Sequence, residues 1–212
     1  MNQRQREKIA LVVFLLLLFG GICGSIWYMS VGHQWNTAAT TIDEATGSLE
    51  NYTAIIYDGV AVPKAGSETS AAPRTRASVA EEYQGKKADV IQLDSVQPSQ
   101  YSEGTILRAG GRRIGVFSVF TRAEASQYQN RVSTFAKEEV DFIVCITSDG
   151  SLLVGSEGVQ GIDIVITTDP LSPSFKSHHG EAYVVESPAA GKIGTILVSP
   201  SNVVSSKALS GK

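Results

Sequence analysis

The sequence predicts an α/β fold: a mixed β-sheet core with flanking helices, preceded by one N-terminal transmembrane helix. Three observations predict it. The run from Ile9 to Met29 contains no charged residue. Two stretches, Asp141-Phe-Ile-Val-Cys-Ile-Thr-Ser-Asp-Gly150 and Gly161-Ile-Asp-Ile-Val-Ile-Thr-Thr-Asp-Pro170, each carry a β-branched apolar run that ends in a small polar cluster. That is the pattern of a buried parallel strand delivering side chains to a site at its carboxyl end. Between Ile114 and Thr147 the pattern reads strand, helix, strand, which is a right-handed crossover unit with its two strands parallel.

A chain of 212 residues with 42% hydrophobic content holds one anchor and one domain with a real core, and no second full domain. The formal charge is −3 and no long basic run occurs, so a nucleic acid finds no electrostatic footprint and is excluded as a partner. Cys23 falls in the apolar N-terminal run and Cys145 in a predicted buried strand, environments too different for the two to pair.

As helix, the uncharged run spans about 31 Å, close to the hydrocarbon thickness of a bilayer. Trp27 and Tyr28 end it, where amphipathic rings favour the membrane interface, and the anchor is placed at 9–31. Arg4, Arg6 and Lys8 precede it and the next basic residue is Lys64, so the positive-inside rule leaves residues 1–8 in the cytoplasm and the rest outside. The run is longer than a signal-peptide core and continues apolar beyond its small-residue cluster, which favours an uncleaved single-pass anchor in the cell membrane. The bilayer is then one partner, through residues 9–31.

Residues 32–51 read as a polar stalk. Tyr52 to Tyr57 is a first core strand stopped by Asp58-Gly59, and the Pro-, Ala- and Ser-rich stretch 62–77 is an exposed flexible loop. Ser78-Val-Ala-Glu81 has the form of a capping box and opens a short helix to Gly85; Ala88 to Asp94 is a strand. Thr105 to Arg108 and Arg112 to Phe120 form a hairpin around Ala109-Gly110-Gly111. Thr121-Arg-Ala-Glu124 is a second capping box, and its helix carries Tyr128, Val132, Phe135 and Ala136 on one stripe, leaving Arg131, Lys137 and Glu138 in water. Leu152, Leu153 and Val159 suggest a short covering helix, Ile162 to Thr168 another strand, and Ala182 to Glu186 with Lys192 to Val198 a closing β-pair. The domain thus runs over 52–198, and 199–212, rich in Ser, Lys and small residues, is expected to be a disordered tail.

Four stretches in order resemble the calcineurin-like metallophosphoesterases, in particular their 5'-nucleotidase branch. Ile106-Leu-Arg-Ala-Gly-Gly-Arg-Arg-Ile-Gly-Val-Phe-Ser-Val119 is similar to that family's hairpin and central strand. The stretch from Asp141 to Gly150 is similar to its Asp-x-Ile-Val-x-Leu-Thr-His-x-Gly strand, and that from Gly161 to Leu171 to its Gly-Ile-Asp-x-Ile-Ile-Gly-Gly-His-x-His strand. Val184 to Ile196 matches the closing pair with its Gly-Lys-x-x-Gly turn. The resemblance covers roughly 104 to 198 and implies a shortened metallophosphoesterase-like fold, with chemistry resting on two divalent metals held by Asp, His and Asn that activate water for attack on a phosphate ester.

The chain departs from that chemistry at each matched position. Ser148 stands where the first His belongs, and Asp169 and Leu171 stand where the His-x-His pair belongs. Asp58 matches the first Asp with Val60 in place of its His, and Asp94 begins a second motif that Ser95 and Gln97 do not complete. His178-His179 reads as a solvated turn. The expectation is therefore a catalytically degenerate binding or structural module with no cofactor, meeting a protein partner or an anionic small molecule outside the membrane. Arg108, Arg112 and Arg113 form a local positive cluster, which reads either as a contact for an anion or as the charge a hairpin turn often carries to stay soluble. The alternative is an active phosphoesterase or nucleotidase holding Mn, Mg or Zn on a non-standard strand-end site of Asp58, Asp94, Ser148, Asp149 and Asp169. Against it stands the ordinary use of Asp in caps and turns. A third reading keeps an extracytoplasmic α/β domain without a small-molecule site; it expects the strands after Tyr52, Ala88, Arg112, Asp141 and Ile162 not to share one sheet.

Overall fold

The structure, a computed structural model, describes residues 36–37, 42, 47–62, 74–154, 159–169 and 182–210. The chain divides into the units Met1–Gln34 and Trp35–Lys212, and every described residue belongs to the second. The anchor at 9–31, with Trp27 and Tyr28, lies outside the described residues. Among the described residues no helix is long and apolar enough to cross a membrane.

Among the described residues, ten strands form two five-stranded sheets. The first sheet holds β1 (Asn36–Thr37), β10 (Val203–Leu209), β9 (Ile193–Val198), β2 (Thr53–Asp58) and β3 (Asp89–Leu93), in that order. The second holds β4 (Thr105–Ala109), β5 (Arg112–Val119), β6 (Phe142–Thr147), β7 (Ile164–Thr167) and β8 (Tyr183–Glu186). Strand β2 runs parallel to β3 and antiparallel to β9; β5 through β8 are mutually parallel, with β4 antiparallel on the edge.

Period-two alternation places the core. Ile55 and Tyr57 of β2, Ile114 and Val116 of β5, Phe142, Val144 and Ile146 of β6, and Ile164 and Ile166 of β7 share one cluster between the sheets with Ile196, Val198 and Val204. The intervening residues face outward under helices. Ala54, Ile56 and Leu197 meet Val79, Ala80 and Tyr83 of α1 (Arg76–Gly85). Phe117, Val119, Cys145 and Val165 meet Tyr128 and Phe135 of α3 (Tyr128–Lys137), which follows the single turn α2 (Arg122–Ala125). Both faces of the central strands are covered, which is why they read as unbroken apolar runs.

The core is therefore mixed α/β, as expected, with two sheets in place of one. The strands after Tyr52 and Ala88 lie in the first sheet and those after Arg112, Asp141 and Ile162 in the second. The expected closing pair of 182–186 with 192–198 is not formed: β8 joins β7 and β9 crosses to β2. The turn between them is taken up by the end of β2. The Gly59 N–H donates to the Lys192 carbonyl (2.8 Å), that of Ala61 to Pro188 (3.1 Å), and that of Ala190 back to Ala61 (2.9 Å). A Cβ on Gly59 would lie within 2.8 Å of three carbonyl oxygens of this turn, so only glycine lets the two backbones meet.

Other boundaries shift for local reasons. Residues 203–209 of the expected tail form β10, because Val204 reaches the inter-sheet core and the strand pairs with β9 from Val204↔Val198 to Leu209↔Ile193. The expected stalk contributes β1, and its Leu49 is fully buried, its N–H donating to the Lys86 carbonyl (2.7 Å). Helix α1 starts before Ser78, inside the expected loop, with Thr75 as its cap in a box with Ser78. The Thr121–Glu124 box is formed as expected, but its helix stops after one turn and restarts at Tyr128, leaving Ala136 exposed. The expected covering helix near Leu152 is a single 3-10 turn, Gly150–Leu153. The remainder of the loop, 63–73, and His178-His179 lie outside the described residues.

Candidate functional site

The carboxyl ends of β2 and β3 in one sheet and of β5 to β8 in the other open on the same edge of the sandwich. The link is direct: beyond β2, the Val60 N–H donates to the Ser187 hydroxyl just past β8 (3.2 Å), and Ala61 pairs with Ala189. Two of the expected carboxylates, Asp58 and Asp94, stand at adjacent parallel strand ends here.

Asp58 ends β2 and Asp94 follows β3, and the parallel register that pairs Tyr57 with Leu93 sets the two side by side. Arg76 enters between them from the first turn of α1. Its Nε lies 2.7 Å from Asp58 Oδ2, one Nη donates to the Leu93 carbonyl (3.0 Å), and the other lies 3.9 Å from Asp94 Oδ2. One planar guanidinium thus spans three oxygens, a use of its fork that an ammonium does not reproduce. All three side chains are less than one-third exposed. The second oxygen of Asp94 accepts the N–H groups of Val96 (3.1 Å) and Gln97 (3.0 Å), closing the turn after β3, and Ser95 donates its hydroxyl to the Asp58 carbonyl.

The Asp58 carboxyl titrates above the ordinary aspartate value. Partial burial is the main cause and the Asp94 carboxylate adds to it; Arg76 opposes both without overcoming them. Two carboxylates share one guanidinium, so this corner of the edge keeps a formal charge of −1 among these three groups.

The remaining candidates lie at the ends of β6 and β7. Asp149 accepts the Ser151 N–H (2.8 Å) and the Ser151 hydroxyl, so it caps the 3-10 turn. Ser148 and Asp169 meet through backbone, the Asp169 N–H donating to the Ser148 carbonyl (3.2 Å), and Asp169 is exposed. The structure therefore brings Asp58 and Asp94 onto a common partner and gives Asp149 the cap role that Asp commonly fills, while Asp169 is held there by its backbone alone. Leu171 lies outside the described residues. Of the arginine cluster, Arg112 donates to the Ser199 carbonyl (3.3 Å) and Arg113 pairs with Glu138 (3.2 Å) and takes the Asp141 carboxylate on its N–H (2.6 Å). Two of its three members thus serve the opposite edge of the sandwich.

Sequence reading passed over Arg76, which fell inside the stretch read as a flexible loop. A signal was present in the charge pattern. A cation in the first turn of a helix opposes the helix dipole, and α1 has no acidic residue there to offset it, so Arg76 needs a carboxylate supplied by another element.

No family model matches the chain, and no curated protein does. Solved structures do. The chain is similar to a 5'-nucleotidase precursor from Thermus thermophilus, with a TM-score of 0.52 and 11% identity, over 76% of this chain and 54% of that one. It spans about half the length of that protein. Similarity is also found to the NAD nucleotidase of Haemophilus influenzae (TM-score 0.33, 15% identity, 50% of this chain and 26% of that one). A third is a Staphylococcus aureus protein assigned as a 5'-nucleotidase and described in complex with alpha-ketoglutarate (TM-score 0.41, 10% identity, 75% of this chain and 53% of that one).

The two metals that the sequence resemblance implies do not fit the residues described. Among them no group of three or more His, Cys, Asp or Glu side chains converges. Asp58 and Asp94 face a guanidinium, and Asp149 is held by Ser151. Two mixed sheets with few helices fit a metallophosphoesterase-like fold, and the likeness to the first of these structures is one of fold.

Proposed function

We propose that this chain is a membrane-anchored, extracytoplasmic domain of metallophosphoesterase-like fold that does not hydrolyse phosphate esters and acts as a binding or structural module. The observation that carries the reading is the engagement of Asp58 by Arg76 at 2.7 Å, with Asp94 on the same guanidinium. Metal-assisted hydrolysis needs anionic or imidazole ligands free to converge on the ion. Here the two carboxylates best placed for it are bound to an internal cation, and a third is a helix cap. The anchor rests on the uncharged run from Ile9 to Met29 and on Arg4, Arg6 and Lys8 before it.

The test is metal content and turnover measured on one preparation. Purified full-length chain, loaded with Mn, Zn, Fe or Mg, is expected to retain no stoichiometric metal by mass spectrometry after desalting. It is expected to show no hydrolysis of a nucleotide or of a phosphodiester above the buffer rate. Two tightly held ions per chain together with turnover sink the proposal.

A further inference from the structure

We infer that Arg76 is the resident cation of the strand-end site: its guanidinium holds the place between Asp58, Asp94 and the Leu93 carbonyl that a divalent ion would otherwise compete for. The inference rests on the metal-free reading of the site above and goes further, since it names the residue that keeps the metal out.

The oxygen set is the starting point. Asp58 Oδ2, the Leu93 carbonyl and Asp94 Oδ2 lie 2.7, 3.0 and 3.9 Å from guanidinium nitrogens and come from the ends of two adjacent parallel strands. Carboxylate and backbone carbonyl oxygens are hard donors of the kind Mg2+ and Mn2+ take. The guanidinium satisfies them with one positive charge. A divalent ion would meet the same oxygens with two, but it cannot enter while Arg76 is present, because the Nε–Oδ2 contact leaves no room for an ion between those atoms.

Geometry also keeps Arg76 in place. It sits in the first turn of α1, where Thr75 caps the helix, and Val79, Ala80 and Tyr83 of that helix are buried against β2. The guanidinium is thus delivered by a packed element. The dipole of α1 disfavours a cation at this end, so the carboxylates are what make the placement stable. Removing the guanidinium leaves two carboxylates side by side with no counter-charge, an arrangement that attracts a cation from solution.

The test uses the full-length chain in detergent with Mn2+ as the probe, following the thermal midpoint across a Mn2+ titration and free Mn2+ by electron paramagnetic resonance. Wild type is expected to be indifferent to Mn2+ and to EDTA. Arg76→Ala is expected to melt lower without metal and to regain stability as Mn2+ is added, with apparent affinity at least about tenfold above that of wild type. Arg76→Lys, which retains a cation, is expected to stay indifferent to the metal. Adding Asp58→Asn to Arg76→Ala is expected to abolish the Mn2+ response. If Arg76→Ala does not fold, Arg76→Gln serves, since it keeps an N–H for the Leu93 carbonyl. The inference is overturned if Arg76→Ala, or Arg76→Gln in its place, binds Mn2+ no better than wild type, or if wild type itself binds it at this site in an Asp58-dependent manner. The first outcome leaves the non-catalytic reading standing. Turnover of phosphate esters by wild type would overturn that reading separately.

Discussion

Asp58 and Glu124 are carboxylates beside strand ends whose surroundings push them in opposite directions. Burial raises Asp58, with Asp94 adding and Arg76 opposing. Burial also raises Glu124, but the N–H groups of Phe120 (2.7 Å) and Thr121 (2.9 Å) and the Thr121 hydroxyl (3.1 Å) outweigh it and hold Glu124 below the ordinary glutamate value. The signs differ accordingly. Glu124 stabilises the fold above its unfolded value, and that contribution is lost as pH falls through its lowered folded value. Asp58 binds its proton more tightly when folded, so its contribution is greatest at low pH and is lost as pH rises through its raised folded value. Asp58→Asn should therefore gain stability relative to wild type as pH rises from the acid range to neutral, whatever its constant offset from losing the Arg76 partner. Urea midpoints of both proteins at several pH values check this, and a difference that is flat or shrinks with pH contradicts it. Asp58 was legible as a strand-end carboxylate, and Glu124 as the fourth residue of a capping box, because both signals are local. Arg76 was not, because its partners Asp58 and Asp94 each lie 18 positions away along the chain.

At the level of elements, strands with both faces buried were read correctly, since an unbroken β-branched run has few alternatives. Elements with mixed composition were not. Strand β10 reads Val-Val-Ser-Ser-Lys-Ala-Leu, with too little alternation to stand out, yet Val204 is fully buried and Ser205 accepts the Ile42 N–H (3.3 Å). Ending the chain after Asn202 removes six paired positions along β9 together with the Val204 contribution to the core. We expect a loss of more than about 3 kcal/mol, a large share of the 5–15 kcal/mol by which domains are typically stable. Denaturant unfolding, or loss of soluble protein on expression, reads it; a truncated chain as stable as wild type would restore the disordered tail. Helix α1 was misplaced by a few residues for a related reason: Thr75–Ser78 and Ser78–Glu81 both offer a capping pattern, and the structure forms the first, with Thr75 accepting the Ser78 N–H and Ser78 accepting the Thr75 N–H.

On the scale of the whole molecule, two sheets replace the single sheet expected, and this changes what the third reading means. Its condition, strands shared between sheets, is met. A fold like that of the Thermus thermophilus structure is met as well, so the condition does not separate an unrelated α/β domain from a metallophosphoesterase-like one. The sandwich brings the carboxyl ends of both parallel sets to one edge through the contacts of Val60 and Ala61 with Ser187 and Ala189. The unit Trp35–Lys212 is compact by itself. If residues 9–31 anchor the chain as proposed, the full-length protein should sediment with membranes and leave them only in detergent, whereas a chain starting at Trp35 should remain soluble and keep the same circular dichroism spectrum. Release of the full-length chain by high salt or alkaline carbonate would count against the anchor.

The sequence by itself determined the strand cores, the α/β class, the hairpin around Gly110-Gly111, the crossover from β5 to β6 and the Thr121 capping box. Each depends on residues close together in the chain or on side-chain periodicity within one element. Only the tertiary structure decided which sheet β9 joins, that β10 exists, and that Asp58 and Asp94 share Arg76. Those outcomes depend on pairings between distant segments, where a strand's partner is set by which apolar face remains to be covered and which carboxylate still lacks a counter-charge.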